Sequence, residues 1–349
     1  MNKLKRILWP FALLYGGVMQ VRNLLYDKQV FPTHSFLLPV VAVGNLTVGG
    51  TGKTPHVEYL LRLLQGYKLA TLSRGYKRQT KGFLLAGTES TAASLGDEPY
   101  QYHQDFPGVT VAVCEDRVAG IQNLLDSVPG LEVVVLDDAM QHRPVHPSLN
   151  LMLTDYTRPF YEDLVLPAGL LREPRRGAAR ADAVIVSKCP PKLSQAEQDR
   201  ITEKTARYTA PGTPVFFTTY TYGAPVPLGL TEGYDMRIVL LTGLAHATPL
   251  KEYLQAAGYD VLRHLDYPDH HAYTQQDMYK LQALLQQPDF QGAQVLTTRK
   301  DTVKLVGLEL EALTRSLPIS YVPVVVRFLQ GQEQFDQLVT RHVAQLNRV

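Results

Sequence analysis

A glycine-rich stretch, VGNLTVGGTGKTP at residues 43–55, has the residue types of a phosphate-binding loop. Its glycines let the backbone turn N–H groups toward phosphate oxygens, and Pro55 suits the first turn of a following helix. A lysine in such a loop reaches the β- and γ-phosphates, and the next hydroxyl binds Mg²⁺. The common pattern has glycine where this sequence has Thr47. The residues expected to hold a nucleoside triphosphate are Thr47, Val48, Gly49, Gly50, Thr51, Gly52, Lys53 and Thr54.

Two adjacent carboxylates follow an apolar run in LEVVVLDDAMQHR, residues 131–143. An enzyme with a phosphate-binding loop also needs an acidic residue at the end of a nearby strand to hold Mg²⁺. Neighbouring carboxylates are costly unless a cation neutralises them, whereas a helix N-cap, the alternative, needs only one aspartate. We therefore expect Asp137 and Asp138 to belong to a metal site.

Two further polar clusters each admit a functional and a structural interpretation. Asp97 and Glu98, in SLGDEPYQ, form a turn or supply a carboxylate that orients or deprotonates an acceptor hydroxyl. Asp269, His270 and His271, in YPDHHAYT, form a surface loop or handle a proton. A zinc site is not expected there, because two adjacent histidines do not share a helix face.

A group of arginines lies in LVLPAGLLREPRRGAARAD, residues 164–182. Planar guanidinium groups suit fork-like binding of a phosphate. The alternative is a solvated run of surface charges. Both interpretations apply to this group, which comprises Arg172, Arg175, Arg176 and Arg180.

Short apolar runs alternate with helical patterns after residue 40, and these elements must position the polar side chains. The runs are rich in Val, Leu and Ile, as in parallel strands that are buried on both faces. Amphipathic segments at 54–65 and 115–127 supply crossover helices. The pattern predicts an α/β fold with a doubly wound, mostly parallel sheet. The predicted strands are 39–43, 69–73, 109–113, 132–136, 149–154 and 182–187.

The pattern changes after residue 188, where Pro190-Pro191 ends a strand and a polar helix begins near Ser194. PVFFTTYTYG, residues 214–223, alternates as a β segment. A second α/β pattern follows, with helices from about 248 and near 274–287, strands at 293–301 and 319–328, and a final helix at about 332–346. The predicted organisation is an interfacial membrane helix at 1–28, a nucleotide-binding kinase domain at 29–213, a β linker at 214–235, a smaller α/β domain at 236–330 and a C-terminal helix at 331–349.

The N-terminus, MNKLKRILWPFALLYGGVMQVRNLLYDK, combines basic and apolar residues. Lys3, Lys5 and Arg6 precede an apolar run from residue 7 to 19, which is shorter than the roughly 20 residues that cross a bilayer. A signal peptide would continue with a small-residue cleavage site, whereas this sequence continues with a helical pattern. We predict a helix lying in the membrane surface with its basic residues toward anionic lipid, and the alternative is a helix buried on its own domain.

The composition excludes several classes of protein. A chain of 349 residues suggests two domains, and 45% hydrophobic with 19% charged residues is typical of globular proteins. A net charge of +2 gives no general basic surface, so a nucleic-acid partner is not expected. Cys114 and Cys189 lie far apart, so we expect buried thiols in a reducing compartment rather than a disulfide framework.

Taken together, these residues resemble the tetraacyldisaccharide 4'-kinases, the lipid A 4'-kinases of outer-membrane biogenesis. The matching motifs follow the family's order from residue 40 to about 301. Threonine at the first loop position resembles this family's own variant. Ala139-Met140 stand where the family usually has Gly-Phe, and Arg299 stands where it usually has Glu. The motifs are VGNLTVGGTGKTP, SRGY (73–76), GDEP (96–99), LDDAMQHR (136–143), LPAGLLREP (166–174), TGLAHATPL (242–250), PDHH (268–271) and TTRKD (297–301).

The resemblance implies an ATP-dependent kinase that phosphorylates the 4'-hydroxyl of a tetraacylated glucosamine disaccharide 1-phosphate, a lipid A precursor. It implies that Asp97 activates this hydroxyl and is paired with His270 from the second domain, so that domain closure assembles the site. Lys53 would act in catalysis on the phosphates. The metal ligands implied are Thr54, Asp137, Asp138 and Glu98, and the candidate substrate contacts are Arg172, Arg175, Gln141 and His142.

The lipid substrate determines where such an enzyme works. Each acyl CH₂ that leaves a bilayer costs about 0.8 kcal/mol, so the enzyme must come to the membrane surface. The expected location is the cytoplasmic face of the inner membrane, as a peripheral protein. The expected partners are the lipid A precursor and the anionic lipid surface, with no obligate protein partner.

Three rival interpretations make different predictions. A soluble kinase for a small metabolite would give residues 1–28 no role in membrane association. A GTPase-like switch would need an Asn/Thr-Lys-x-Asp motif to read the base, and the nearest stretches, SKCP (187–190) and RKD (299–301), do not match it. A membrane-anchored structural protein would leave the phosphate loop and two acidic pairs without explanation.

Overall fold

Two β-sheets with flanking helices organise the chain. The computed structural model of the protein describes residues 3–230, 236–244, 247–269, 271–307 and 309–347. The strands in these residues are β1 (Val40–Asn45), β2 (Leu69–Ser73), β3 (Leu84–Leu85), β4 (Thr110–Val113), β5 (Val133–Asp137), β6 (Leu149–Asp155), β7 (Ala183–Ser187), β8 (Val215–Tyr222), β9 (Val226–Pro227), β10 (Arg237–Thr242), β11 (Asp260–Asp266), β12 (Gln294–Thr298), β13 (Ile319–Val322) and β14 (Val324–Phe328).

The helices lie between the strands and at both ends of the described chain. The α-helices are α1 (Lys3–Asp27), α2 (Lys53–Leu63), α3 (Ala92–Leu95), α4 (Asp97–Asp105), α5 (Arg117–Ser127), α6 (Gln195–Ala206), α7 (Thr248–Ala256), α8 (Gln275–Leu285), α9 (Arg299–Leu305), α10 (Glu311–Arg315) and α11 (Gln332–Leu346). Short 3₁₀ helices cover Phe160–Glu162, Arg175–Arg180 and Pro288–Phe290.

The larger sheet has the strand order β14-β8-β7-β6-β1-β5-β2-β4-β3. Its inner strands are parallel, and β1 lies between β6 and β5. Val43 of β1 pairs with Asp137 at the end of β5. Because parallel strands end at the same edge, this register places the segments that follow β1 and β5 side by side. The predicted α/β fold with a mostly parallel sheet is confirmed.

Burial on both faces explains the near-continuous apolar strands. Every residue of β1, β2 and β5 is buried. On one face, Val41 and Val43 belong to the same core as Val57 of α2. On the other face, Ala42 packs in a separate core with Ile121 of α5. A parallel sheet covered by helices on both sides needs apolar side chains at successive positions, since neither face meets water.

The smaller sheet has the order β11-β10-β12-β13-β9, and of these five strands the short β9 alone runs antiparallel to its neighbour in the described part of the chain. Two segments from the predicted linker and the predicted smaller domain pair in the larger sheet. Residues 215–222, within the predicted linker, form β8, which pairs with β7 and β14 in the larger sheet. Residues 324–328, within the predicted smaller domain, form its edge strand β14. Pro323 separates β13 from β14 because proline cannot donate a ladder hydrogen bond, and the chain changes sheets there. The domain boundaries themselves stay predictions.

Helix α1 has a buried face and an exposed apolar face. Ala12 is buried against the body of the protein. Among the described residues, no helix is both long enough and apolar enough to span a membrane. The side chains of Lys3, Lys5 and Arg6 lie outside the described part of the chain. The large exposed apolar side chains of α1 are Ile7, Trp9, Phe11, Leu13, Leu14, Val18, Val21 and Leu24.

Candidate active site

The phosphate loop, residues 47–54, connects β1 to α2 at the carboxyl edge of the larger sheet. Gly52 precedes α2 with a φ of 83°, a left-handed conformation that glycine adopts without steric cost. A Cβ at this position would lie 1.7 Å from the Tyr220 hydroxyl, so a side chain does not fit. No side chain among the described residues caps the N-terminus of α2. Its first N–H groups can therefore bind an anion, which the helix dipole also favours.

The position of Thr47 explains why this loop needs no glycine at its start. Thr47 is buried and forms an isolated antiparallel bridge with Leu171. The Val48 N–H donates to the Leu170 carbonyl at 2.8 Å, and the Arg172 N–H donates to the Leu46 carbonyl at 2.7 Å. The loop therefore begins as an extended strand pair, a conformation that threonine favours. This pairing also fixes Arg172 beside the phosphate loop.

Lys53, Asp138 and Arg172 form a charge cluster beside the loop. Lys53 Nζ lies 3.3 Å from Asp138 Oδ1 and 3.5 Å from Asn45 Oδ1. Arg172 Nη1 donates to Oδ1 and Oδ2 of Asp138 at 3.0 and 2.9 Å. Asp138 has a φ of 50°, which is uncommon outside glycine and is often found at functional sites. Two cationic side chains thus contact one carboxylate beside the loop that is expected to bind the triphosphate.

The two adjacent carboxylates have different electrostatic surroundings. Burial raises the pKa of Asp137 to about 6, Lys53 opposes this shift, and the Asp138 charge adds to it. Glu98 also raises this pKa, so its carboxylate acts on the same site. For Asp138, burial acts to raise the pKa, but Lys53 and Arg172 outweigh burial and hold the pKa below its usual value. Asp138 is therefore the firmly ionised partner of the pair.

A buried carboxylate, Glu173, ties these segments together. The residue has 0% exposure, and its Oε1 accepts from Arg180 Nη2 at 2.7 Å and from Gln141 Nε2 at 2.9 Å. Gln141 Nε2 also donates to the Asn45 carbonyl at 2.8 Å, and its Oε1 accepts from Arg172 Nη1 at 3.3 Å. The Glu173–Gln141 pair therefore connects the end of β1, the acidic motif and Arg172.

Asp97 and Glu98 begin helix α4 and do not form the alternative turn. Carboxylates in a first helical turn are favoured by the helix dipole. Lys304 Nζ of α9 lies 3.6 Å from Asp97 Oδ2, so a helix that connects β12 and β13 of the smaller sheet contacts the predicted catalytic acid. His270, its predicted partner, lies outside the described residues. Of its neighbours, Asp269 accepts from Lys300 Nζ at 2.7 Å.

The donor set fits a Mg²⁺ ion that is held jointly by protein and phosphate oxygens. Within the described residues, no group of three or more His, Cys, Asp or Glu side chains could hold a metal ion alone. Mg²⁺ commonly takes one or two carboxylates together with phosphate oxygens and water. Asp137 accepts from the Tyr102 hydroxyl at 3.2 Å through Oδ2, whereas its Oδ1 is buried and has no hydrogen-bond partner in the described part of the chain. Such an oxygen is a suitable ligand, because a cation would satisfy it.

Comparisons with known proteins agree along nearly the whole chain. A family model described as tetraacyldisaccharide-1-P 4'-kinase matches residues 4–344. The chain belongs to the tetraacyldisaccharide 4'-kinase family. A protein of that name from Cytophaga hutchinsonii is 44% identical over 351 residues, covering 99% of this chain and 98% of the relative. Another from Flavobacterium johnsoniae is 41% identical over 349 residues, covering 98% of each.

A solved member of the family has the same fold. The crystal structure of LpxK from Aquifex aeolicus, described as an "apo" form in complex with ATP, superposes with a TM-score of 0.75. It is 31% identical to this chain and covers 97% of it, with 99% of its own chain covered. Membership of the tetraacyldisaccharide 4'-kinase family makes the chain a phosphotransferase.

In this member of the family, most of the residues predicted for the site come together. The loop residues 47–54 with Asp137, Asp138, Gln141 and Arg172 form one connected region. His142 lies next to it, where its Nε2 accepts from the Arg117 N–H at 3.3 Å. Arg175 is directed elsewhere: its Nε and Nη2 donate to the Asp163 carbonyl at 3.1 and 2.8 Å. A substrate contact by Arg175 stays a prediction, as do the roles of the other residues.

Sequence reasoning missed three polar residues of the site. Asn45 ends the buried strand β1, and its Nδ2 donates to Thr51 Oγ1 at 2.7 Å. Glu173 lies between Arg172 and Pro174 in a motif whose arginines are the candidate phosphate contacts. Lys304 lies outside every motif. A polar residue ending an apolar strand was a usable signal for Asn45, whereas the burial of Glu173 and the position of Lys304 depend on distant contacts.

Proposed function

We propose that this chain transfers the γ-phosphoryl group of ATP to the 4'-hydroxyl of a tetraacyl glucosamine disaccharide 1-phosphate, at the cytoplasmic face of the inner membrane. The main support is the cluster in which Lys53 and Arg172 converge on Asp138 beside an uncapped helix N-terminus. Such a cluster suits phosphoryl transfer, because catalysis of this reaction depends mostly on positioning and charge stabilisation. Family membership supplies the class of acceptor.

The phosphate loop would hold the triphosphate through its backbone N–H groups. Lys53 would exchange its contact with Asp138 for the β- and γ-phosphates, while Arg172 keeps Asp138 in place. Thr54, Asp137, Asp138 and Glu98 are the candidate ligands of Mg²⁺. When bound, Mg²⁺ neutralises charge on the phosphate oxygens.

Asp97 is proposed to take the proton of the acceptor hydroxyl. As the hydroxyl oxygen forms a bond to the γ-phosphorus, the bond from that phosphorus to the bridging oxygen of ADP breaks. The ion pair with Lys304 holds the Asp97 carboxylate at the face that α4 shares with α9. His270 is proposed to orient Asp97, a role suggested by the family motif. Arg172, Gln141, His142 and Arg175 are proposed substrate contacts, and Arg175 would have to leave its present partners.

Helix α1 is proposed to lie in the membrane surface. Its outer face exposes a row of large apolar side chains, which an aqueous protein surface rarely carries in such density. An interfacial helix buries such a face at the boundary of headgroups and acyl chains. The enzyme would then meet the acylated substrate where it resides, and only the sugar would enter the site.

A transfer assay tests this function. Purified full-length protein in detergent micelles would receive γ-labelled ATP, Mg²⁺ and the tetraacyl disaccharide 1-phosphate. We expect label in the lipid, and a loss of about a hundredfold or more in Asp97→Asn, because a general base contributes about 10²–10⁴ in rate. Asp126→Asn, an exposed position on α5, is the matched control and should keep full activity.

ATP binding should be measured in parallel from the rise in Tm that ATP produces. Retained binding with lost transfer in Asp97→Asn supports a role in chemistry. Transfer by Asp97→Asn at the rate of the unmodified protein would disprove that role. Absence of label in the lipid, with ATP still bound by the unmodified protein, would point to a different acceptor such as a small metabolite.

A further inference from the structure

The inner face of helix α1 contacts the segments that build the active site. The Tyr15 hydroxyl donates to the Arg172 carbonyl at 2.9 Å, and Arg22 Nη2 donates to the Gln141 carbonyl at 3.1 Å. Asn23 Nδ2 donates to Glu173 Oε2 at 2.7 Å. Positions 15, 22 and 23 share one face of an α-helix, since they are spaced by seven and eight residues. One helical face therefore touches both of the segments that supply Asp138 and Arg172.

The outer face of the same helix carries the apolar side chains proposed to meet lipid. Leu14, Val18 and Val21 are 70%, 60% and 58% exposed. Leu14 directly precedes Tyr15, and Val21 directly precedes Arg22. Because an α-helix is a rigid hydrogen-bonded rod, a displacement of one face moves the other. A movement of α1 that changes the contacts of its outer face with a lipid surface therefore also changes the contacts of its inner face.

Of these three residues, Asn23 is the one that contacts a buried carboxylate. Glu173 is fully buried, and its two oxygens are divided between partners. Oε1 accepts from Arg180 and Gln141, while the one described contact of Oε2 is with Asn23. A buried carboxylate oxygen that loses its donor is costly, so its neighbours shift to satisfy it. One of these neighbours is Gln141, which also contacts Arg172.

We propose that Asn23 is a positioning residue for phosphoryl transfer, acting through Glu173 and Gln141 on the Arg172–Asp138 pair. Helix α1 thereby couples contact with a lipid surface to the geometry of the charge cluster. The lipid half of this statement rests on the proposed function, whereas the positioning half needs only the phosphotransferase activity. The substrate is then phosphorylated most rapidly when α1 lies on the lipid surface.

The test uses variants on the two faces of α1 in the full-length protein. Asn23→Leu removes the donor and keeps the number and branching of side-chain heavy atoms, and Asn23→Ala is a smaller alternative in case the first does not fold. Leu14→Glu, on the outer face, is the matched control. Five quantities would be measured: kcat and KM for ATP in detergent micelles, sedimentation with vesicles of anionic phospholipid, the dissociation constant for ATP in the presence of Mg²⁺, and Tm.

The expected results separate the two faces. Asn23→Leu should sediment with vesicles as the unmodified protein does, while its kcat falls roughly tenfold, the size expected when one hydrogen bond to a buried charge is lost. Its KM for ATP should change less than kcat, since the misplaced charges matter most in the transition state. Leu14→Glu should lose vesicle binding, while its kcat with saturating substrate in micelles should fall less than that of Asn23→Leu, because it retains the hydrogen bond from Asn23 to Glu173.

A kcat within twofold of the unmodified protein in a folded Asn23 variant would overturn the proposal, as would a fall that only parallels the loss of folded protein. If the unmodified protein does not phosphorylate the lipid, the proposed function fails and the dissociation constant for ATP decides about Asn23. A several-fold weaker binding in Asn23→Leu then supports positioning of the charge cluster, and equal binding rejects it.

Discussion

Asp138 illustrates how single residues of this site combine backbone strain with charge. A φ of 50° is unfavourable for an aspartate, and it persists here in a carboxylate that contacts two cations. The neighbouring Asp137 has the opposite character, because it is buried and its pKa is raised to about 6. The pKa values of two adjacent aspartates thus shift in opposite directions because their surroundings differ. This difference suits a site in which one carboxylate is firmly held and the other is available to a cation.

His142 gives a pH-dependent prediction at the same scale. Burial lowers its pKa to about 4, Arg117, Arg22 and Arg74 add to the lowering, and Asp116 opposes it. The unfolded chain therefore binds more protons than the folded protein between about pH 4 and 6.5. The stabilising contribution is complete above about pH 6.5 and is lost as the pH falls toward 4. We expect the Tm of the unmodified protein to fall more steeply between pH 6.5 and 5 than that of His142→Gln.

Thermal unfolding followed by circular dichroism at several pH values measures this difference. The amide oxygen introduced by His142→Gln can still accept the hydrogen bond that the Arg117 N–H donates to the histidine ring, so the contact is retained while the proton site is removed. His146→Gln, at an exposed position of the same segment, is the control and should keep the slope of the unmodified protein. Equal slopes for His142→Gln and the unmodified protein would contradict the prediction.

Among the elements, strand β1 determines how closely the acidic motif can approach the phosphate loop. A Cβ at Gly44 would lie 2.6 Å from Met140 Cβ and 2.7 Å from the Met140 backbone nitrogen. Met140 and Ala139 are both buried against this strand. The pair Ala139-Met140, which departs from the usual family sequence, is therefore packed directly on the strand that carries the loop. Its side chains fill a core position beside the active site.

Gly44→Ala is expected to destabilise the protein by about 1–3 kcal/mol, the usual cost of overpacking a dense core. It should also weaken ATP binding, since the acidic motif must move away from the loop. Urea unfolding and the ATP-induced rise in Tm measure the two effects. Adding Met140→Ala should not restore stability, because the Cβ and the backbone nitrogen that clash remain.

Gly17→Ala on α1, where a Cβ has no neighbour within 4 Å, is the control. A urea midpoint of Gly44→Ala equal to that of this control would refute the packing argument.

At the scale of the whole molecule, an ion pair joins α9, which lies between two strands of the smaller sheet, to the helix that begins with Asp97. Arg299 Nε donates to Asp105 Oδ1 and Oδ2 at 3.0 and 2.9 Å, and its Nη2 donates to Oδ1 at 2.6 Å. Lys304, from the same helix α9, reaches Asp97. Arg299 of α9 thus pairs with Asp105 of α4 at that junction. The pairing holds α4 and α9 together beside the predicted catalytic acid.

Arg299→Glu should lower Tm and kcat/KM, because two carboxylates would then face each other across the junction. Combining it with Asp105→Arg reverses the pair and should recover part of the loss. A double-mutant cycle on Tm and on kcat/KM measures the coupling, which we expect to be about 1 kcal/mol for a partly exposed pair. Strictly additive effects of the two substitutions would show that the pair does not join the two parts of the molecule.

The sequence by itself determined the local features of this protein. Strand β2 occupies 69–73 as predicted, and the final helix occupies 332–346, because burial on both faces and helical periodicity leave a direct record in residue order. The phosphate loop and the acidic pair were recognisable for the same reason: their function depends on neighbours in the chain. Their adjacency also followed, since parallel strands end at one edge.

Tertiary structure decided the features that depend on distant partners. β14 pairs with β8 rather than with the smaller sheet, and α4 begins at a Gly-Asp that equally suits a turn. Arg172 meets Asp138 while Arg175 meets the Asp163 carbonyl, although both arginines lie in one motif. Glu173 is buried because Arg180, Gln141 and Asn23 surround it from three separate segments. No local pattern encodes such a site, since its stability comes from contacts that form only when those segments meet.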